Sequence, residues 1–253
     1  MINTNRKENN MVLSYSKTLN INAQPENDFN IYNNMKKDIN LNREEPLLKI
    51  IKIGTHNVRG FNRDYKRKEF MDFYRDNKVD IIGLSETKIN KKTGKNIEKA
   101  QKKEDTFMEY KIWFEGIDEE NTKTGGVALV INEQLVQHVT EIGRYMGRII
   151  WAILKYKGKP NLWIINIYVN SDLKEKTERK LLLKKLKELL KNAEEKKEDV
   201  ILLGDLNADR KKWEQNDKLQ NKEKYLILET IKNADLFDTQ RIITEENTEI
   251  KQT

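Results

Sequence analysis

An α/β sandwich is the fold class that this sequence predicts, and three observations predict it. Short β-branched apolar runs alternate with stretches whose apolar residues recur every three to four positions, the mark of strands and helices stacked in layers. Several runs are apolar at consecutive positions, as strands covered on both faces are. Three of the runs end alike, in one or two acid or amide side chains. Composition narrows the chemistry further. Among 253 residues there is no Cys and there are only two His, which excludes disulfides, zinc–thiolate sites, thiol nucleophiles and sites built on several imidazoles. Carboxylates, amides, hydroxyls and a hard metal ion remain. Charged residues make up 35% of the chain and leave a net charge of +7. That is a mixed-charge surface with a basic tilt, which permits a nucleic-acid partner without demanding one. No stretch of about 18 apolar residues exists to span a membrane, and the start MINTNRKENN lacks the apolar segment of a secretory signal. An intracellular, nuclear setting with no membrane partner is the expectation.

Residues 1–45 read as a disordered leader. Twelve of the first 44 residues are Asn and the apolar ones are scattered, so ordering the segment costs more entropy than burial returns. Glu44-Glu45-Pro46 marks the boundary, and residues 46–253 form one domain. Leu48-Lys49-Ile50-Ile51-Lys52-Ile53 is a β-branched run that ends at Thr55-His56-Asn57. Residues 64–77 carry a helical period, with Phe70, Phe73 and Tyr74 on one face. Residues 79–84 form a short buried strand that ends at Ser85-Glu86-Thr87. The lysine-rich stretch 88–103 reads as loop or exposed helix. Four strands centred on Ile112, Leu129, Val136 and Trp151 follow, then a fifth over residues 162–168. Asp172 is the expected N-cap of the clearest helix, in which Leu182, Leu186, Leu189 and Ala193 repeat at i, i+4, i+7 and i+11. The period is too short-lived for a coiled coil and predicts packing on a sheet. Val200-Ile201-Leu202-Leu203 is a strand that ends at Gly204-Asp205-Leu206-Asn207. A last helix over about 219–233 precedes Leu236-Phe237-Asp238.

Sites in layered α/β proteins form beyond strand ends, where loops carry polar side chains. The three strand ends at Asn57, Glu86 and Asp205-Leu206-Asn207 are therefore the candidate site. Strand alternation puts Asp205 and Asn207 on one side, and puts Thr55 and Asn57 on a face opposite His56. Two carboxylates and two amides make an oxygen-rich site that suits Mg²⁺. Any one of these residues alone reads as an ordinary turn former; the set at matching element ends is what points to chemistry. His138, in Leu135-Val136-Gln137-His138-Val139, reads as a satisfied strand histidine, and His56 as a packing residue.

The strings THNVRGF, LSETK, TGGVALVIN, NIYVN and LLGDLNAD, in that order, resemble the endonuclease/exonuclease/phosphatase family. DNase I, apurinic endonucleases and the endonuclease domains of LINE-type retrotransposons belong to it. The resemblance runs from about residue 49 to 238. It implies a DNase I-like sandwich of two mixed sheets flanked by helices, and Mg²⁺-dependent hydrolysis of DNA, as abasic or target-site duplex, with a reverse transcriptase as the accompanying context. Carried over position by position, it implies that Glu86 is the principal Mg²⁺ ligand and that Asn57 helps hold the metal–phosphate network. Asp205 orients or deprotonates the attacking water, Asn207 contacts the phosphoryl group, and Tyr168 stands near the scissile phosphate.

The departures are informative. Arg59 stands where apurinic repair enzymes usually carry Asp. The usual Tyr-x-Pro-Asn is here Tyr168-Val169-Asn170-Ser171, and no Ser-Asp-His-like element follows. The second half of the sandwich is therefore expected to be incomplete, with an unpaired strand edge and exposed apolar surface. Loss of a histidine donor to the phosphoryl group implies weak or no turnover, slower by on the order of 10²–10³. Two alternatives stay open. One is a phosphatase or phospholipid diesterase of the same fold, since fold does not fix substrate. The other is a non-catalytic nucleic-acid-binding fragment.

Overall fold

The computed structural model describes residues 10–15, 51–101, 105–118, 125–172, 176–208, 213–214 and 222–238. Two parallel β–α–β units frame it. In the first, β2 (Ile53–Asn57) leads through α1 (Asp64–Asp76) to β3 (Ile81–Ser85). Helix α2 (Lys91–Ala100) and the antiparallel strands β4 (Tyr110–Glu115) and β5 (Val127–Asn132) follow, giving a four-stranded sheet in the order β2-β3-β5-β4. A short helix, α3 (Glu133–Val136), leads to β6 (Val139–Tyr145) and β7 (Ile149–Leu154). In the second unit, β8 (Leu162–Tyr168) leads through α4 (Lys176–Glu195) to β9 (Asp199–Asp205). Helix α5 (Lys222–Asn233) and β10 (Phe237–Asp238) close the chain. With β1 (Asn10–Tyr15) they form a six-stranded sheet in the order β10-β1-β9-β8-β7-β6.

Apolar residues at consecutive strand positions serve two cores at once. On β7, Ile149, Trp151 and Ile153 meet the α4–α5 layer, while Ile150, Ala152 and Leu154 face the other sheet. On β5, Val127, Leu129 and Ile131 face the intersheet core, and Ala128 and Val130 face α1 and α2. The expected residues of α4 do their part: Leu182, Leu186, Leu189 and Ala193 are all at most 2% exposed. The result is helix, sheet, sheet, helix, the mixed-sheet sandwich that the sequence predicted.

Several local expectations are corrected. Residues 10–15 of the leader pair antiparallel with β9, so this stretch is a strand rather than disordered chain, and the outer edge of β9 is covered instead of open. The remainder of the leader lies outside the described residues. Val136 is helical, because the Asn132 side chain accepts the Gln134 N–H at 3.0 Å and caps a turn of helix before β6 begins. His138 sits in the turn that follows, its Nδ1 at 3.2 Å from the Lys155 carbonyl and its ring against Tyr156. The 88–103 stretch contains an ordered helix, α2, capped by Asn90 through the Thr93 N–H at 2.7 Å. The buried face of α1 is Arg67, Met71 and Tyr74, at i, i+4 and i+7, and Phe73 falls off it at 48% exposure. Asp172 gives its N–H to the Asn170 side chain, and α4 begins at Lys176 with residues 173–175 outside the described set.

A buried side-chain amide ties the two sheets together. Asn166 of β8 is fully buried, and its Nδ2 donates to the carbonyls of Leu84 on β3 and Ala128 on β5 at 2.8 and 3.0 Å. Opposite it stands Gly83, where a Cβ would lie 2.6 Å from Asn166 Oδ1. Gly83→Ala and Asn166→Ala are each expected to lower stability by about 1–3 kcal/mol. Because they share one contact, the double variant should lose less than the sum of the two. A double-mutant cycle in urea reads this, and strict additivity would show that the two residues act separately.

Candidate active site

The strand order determines where polar ends can meet. Within each parallel pair the carboxyl ends lie side by side: Asn57 is in register with Ser85, and Tyr168 with Asp205. Because the two sheets pack face to face, these two ends form one rim. Past the strands the β2 and β3 loops stay zipped, with Val58, Gly60 and Phe61 N–H groups donating to the carbonyls of Ser85, Glu86 and Thr87 at 3.0, 2.7 and 2.8 Å.

Asp205 is the centre of the rim. It is 8% exposed, and both its oxygens are taken: Oδ2 accepts from Asn57 Nδ2 at 3.1 Å and Oδ1 from the Asn207 backbone N–H at 2.9 Å. Burial raises its pKa and the nearby Glu86 charge adds to the rise, while the two hydrogen bonds and the Arg59 charge oppose it. The balance is upward, which brings the carboxylate closer to the pKa of a general base. Glu86 is held from the other side, where Oε1 accepts the Tyr168 hydroxyl at 2.7 Å. Tyr168 is 1% exposed, and burial first, then the bond to Glu86, pushes its pKa far up, so the phenol stays protonated and donates.

Sequence reasoning therefore named residues that the fold gathers: Asn57, Glu86, Tyr168, Asp205 and Asn207 share this rim. Strand alternation, however, is not what aims them. Strand β9 stops at Asp205, and Asn207 lies beyond it at φ +46°, its Nδ2 donating to the Val169 carbonyl at 2.7 Å. Glu86 likewise turns out of β3 at φ +52°. Arg59 (φ +47°) and Lys88 (φ +54°) complete a group of four non-glycine residues in left-handed backbone at one rim. Such conformations persist where the surroundings over-determine them, and they concentrate at functional sites. The Asn57 amide oxygen accepts the Arg59 N–H at 3.1 Å, so Asn57 ties the β2 loop to Asp205. Asn170 forms a local turn with Asp172. Neither histidine belongs to the site: His56 Nδ1 lies 3.0 Å from the Tyr74 hydroxyl under α1, on the face opposite Asn57 as alternation predicts.

Gly204 explains the GD pair. Its φ is +127°, and a Cβ there would stand 1.8 Å from the Ile167 carbonyl oxygen on β8. Only glycine lets β9 turn against β8 at the point where Asp205 leaves the sheet.

Sequence reasoning missed Arg148 and Glu178. Arg148, at the entry to β7, is 5% exposed, and its Nε and Nη2 lie 3.0 and 3.2 Å from the two carboxylate oxygens of Glu178 on α4. Its guanidinium carbon stands 5.3 Å from the Tyr168 ring centroid, behind the phenol that holds Glu86. Gly125, at φ +110°, makes room for it, since a Cβ there would lie 2.2 Å from Nη1. The available signal was an arginine, preceded by Gly147, set flush against the unbroken apolar run of β7.

The donor set bears on a metal ion. Among the described residues no group of three or more His, Cys, Asp and Glu side chains is poised for one. Two carboxylates and neighbouring amide oxygens remain, and these suit a hard cation that keeps waters and takes its other ligands from a phosphate.

Two outcomes follow from these energetics. Asp205 is more basic in the folded chain than in the unfolded one, so between the two pKa values the folded state holds more protons and stability falls as pH rises. The unfolding free energy of Asp205→Asn relative to the unsubstituted chain should be flat below about pH 3.9 and shift toward the variant as pH rises above it. Urea unfolding across pH 3–7 reads this, and a shift in the other direction would contradict the burial argument. Glu178→Ala strands a buried guanidinium and should cost about 3–5 kcal/mol, more than Arg148→Met with Glu178→Ala together; calorimetry of the single and double variants compares them.

The comparisons with known proteins agree with this fold. No curated protein sequence matches the chain. Among solved structures, the AP endonuclease LMAP from Leishmania major has a TM-score of 0.55 at 17% identity, covering 73% of this chain and 66% of that one. The 3′ phosphatase NExo from Neisseria, bound to product DNA hairpin, has a TM-score of 0.53 at 20% identity, covering 73% and 71%. The endonuclease domain of TRAS1, a telomere-specific non-LTR retrotransposon, has a TM-score of 0.46 at 12% identity, covering 73% and 72%, a likeness too loose to assign a branch. This chain spans from 50% to 72% of the length of the structures it matches. The model of one family matches residues 54–240, most of the chain and every element from β2 to β10. The chain belongs to the endonuclease/exonuclease/phosphatase family.

Proposed function

We propose that the rim hydrolyses phosphodiester bonds in DNA with the help of a divalent cation, Mg²⁺ by the hardness of its donors. The observation that carries the reading is the opposed pair of carboxylates. Asp205 is fixed through both oxygens by Asn57 and Asn207, and Glu86 is fixed by Tyr168, so both are aimed before any substrate arrives. Family membership supports phosphate-ester hydrolysis. The structural neighbours that act on DNA, an AP endonuclease and a 3′ phosphatase bound to product DNA hairpin, favour DNA over lipid.

Asp205 is placed to align a water and accept its proton as the water oxygen bonds to phosphorus and the bond to the departing strand oxygen breaks. Burial raises its pKa, which makes it a better proton acceptor than an exposed aspartate. Asn207 keeps one amide hydrogen for a phosphoryl oxygen after its bond to Val169. Glu86 and the Asn57 amide oxygen are the groups that would hold the cation. When bound, it would offset charge developing on the phosphoryl oxygens. Tyr168 keeps Glu86 from turning toward solvent.

The test is nicking of supercoiled plasmid and of an abasic duplex with Mg²⁺. Glu86→Gln and Asp205→Asn should each lose at least about 10² in rate, and chelation should abolish cutting. Mg²⁺ at 100 times its Kd should stabilise the unsubstituted chain by about 2.7 kcal/mol and Glu86→Gln by much less. Equal cutting by all three proteins would dismiss this assignment.

A further inference from the structure

Beside the carboxylates, the same loops raise a group of cations without acidic partners. Arg59 follows Asn57 on the β2 loop, Lys88 follows Glu86 on the β3 loop, and Lys66 projects from the first turn of α1. Their positions are fixed by backbone contacts: Lys66 Nζ donates to the Val58 carbonyl at 2.7 Å, and Asn62 Nδ2 to the Lys88 carbonyl at 3.0 Å. Arg59 and Lys88 both sit in left-handed backbone on the zipped loops. The charges feel one another, since Lys88 and Arg59 both act to lower the pKa of Lys66, whose burial lowers it most, while Tyr65 and Glu69 raise it.

Several other cations of this chain are paired with acids. Arg67 pairs with Asp64, Lys91 with Asp118, Arg144 with Glu98 and Arg148 with Glu178. Among the described residues, Arg59, Arg63, Lys66 and Lys88 have no carboxylate within ion-pair distance. On the same turn stands Tyr65, 63% exposed, with its hydroxyl accepting from Arg63 Nη1 at 3.2 Å. An aromatic ring presented to solvent at the edge of unneutralised cations is the surface that a nucleic-acid strand uses: phosphates on the charges, a base on the ring.

We propose that Arg59, Lys66 and Lys88 bind backbone phosphates next to the scissile one, and that Tyr65 stacks on an unpaired base of that strand, so that the chain favours duplex with a single-stranded junction over fully paired duplex. This rests on the reading of the neighbouring rim as a DNA phosphodiesterase. It names the form of substrate that reading leaves open.

The experiment is fluorescence anisotropy of the full chain in chelator, against a fully paired DNA duplex and the same duplex with a single-stranded overhang, over a range of salt. Each phosphate contact contributes about 0.7–0.9 to the slope of log K against log salt. Arg59→Gln with Lys66→Gln and Lys88→Gln should therefore reduce the slope by about two to three. Each single Gln variant should remove about one, and Lys66→Arg, which keeps the charge, should keep the slope. Tyr65→Ala should weaken the overhang duplex by roughly 5- to 150-fold and leave the paired duplex unchanged. An unchanged slope in the Gln variants would overturn the proposal, as would equal losses on both duplexes with Tyr65→Ala. Because no turnover is involved, a chain that binds in this way but cuts nothing would sink the hydrolytic reading alone.

Discussion

The Asn166 amide, reaching from β8 to the carbonyls of Leu84 and Ala128, fixes how the two sheets sit on each other. An intersheet core of Ile, Leu and Val tolerates small slides, because apolar contacts have no direction. A buried amide does not, because a lost hydrogen bond in that dry layer has no water to replace it. Leu84 is two residues from Glu86, and Asn166 is two residues from Tyr168. The register that satisfies Asn166 is thus the register that brings the Tyr168 hydroxyl to Glu86. Gly83 is the complement of that contact, since any side chain there would hold the sheets apart at this point.

Above that bridge the site depends on backbone more than on side-chain choice. Gly204 lets β9 press against β8 before turning outward, and Gly126, at φ +76°, lies where a Cβ would stand 2.4 Å from Thr87 Oγ1. Between these two glycine turns the chain forces Glu86 and Asn207 into left-handed conformations that their side chains disfavour. The zipped β2 and β3 loops hold Glu86 there with backbone hydrogen bonds, and Asn207 is held by its N–H on the Asp205 carboxylate and its side-chain amide on the Val169 carbonyl. Strain of this kind is sustained by the stable sandwich beneath it, and it aims polar groups away from the sheet that carries them.

The layers were legible in the sequence because burial on two faces writes itself as unbroken apolar runs, as in β7 and β9, and burial on one face as the Leu182–Leu186–Leu189–Ala193 stripe of α4. Asn57, Glu86, Asp205 and Asn207 were legible because each lies just past such a run, and Tyr168 through the family resemblance. What could not be read depends on contacts that are distant in sequence. The strand at residues 10–15 gains its partner only once β9 exists, so composition alone marked it as unstructured. The turn of helix at Glu133–Val136 reflects a single cap by Asn132 overriding the β-propensity of Val136. The buried face of α1 includes Arg67, whose guanidinium binds the carbonyls of Phe61 and Asn62 at 3.1 and 2.7 Å, so an apolar count placed Phe73 where the charged residue lies. Arg148 went unseen because its partner, Glu178, is 30 positions away on a different element.

The electrostatics of the rim resolve an apparent contradiction. The Glu86 charge adds to the rise in the pKa of Asp205, and two carboxylates this close repel any phosphate that approaches. Arg148 lies near them beneath Tyr168, but Glu178 neutralises it and it is sealed from solvent, so it steadies the phenol and attracts nothing from outside. On the proposed reading the attraction comes from charges without a carboxylate partner among the described residues, and the loops that carry Asn57 and Glu86 supply them two residues further on, as the exposed Arg59 and the half-buried Lys88. On the proposed reading, acid and base placed so close on the same strand-end loops would draw a phosphate and a cation to adjacent points on one piece of backbone. A site of this form is held least comfortably when empty. Asp205 is buried beside a like charge; on the proposed reading a bound cation would relieve it, so the feature that weakens the folded chain would favour binding.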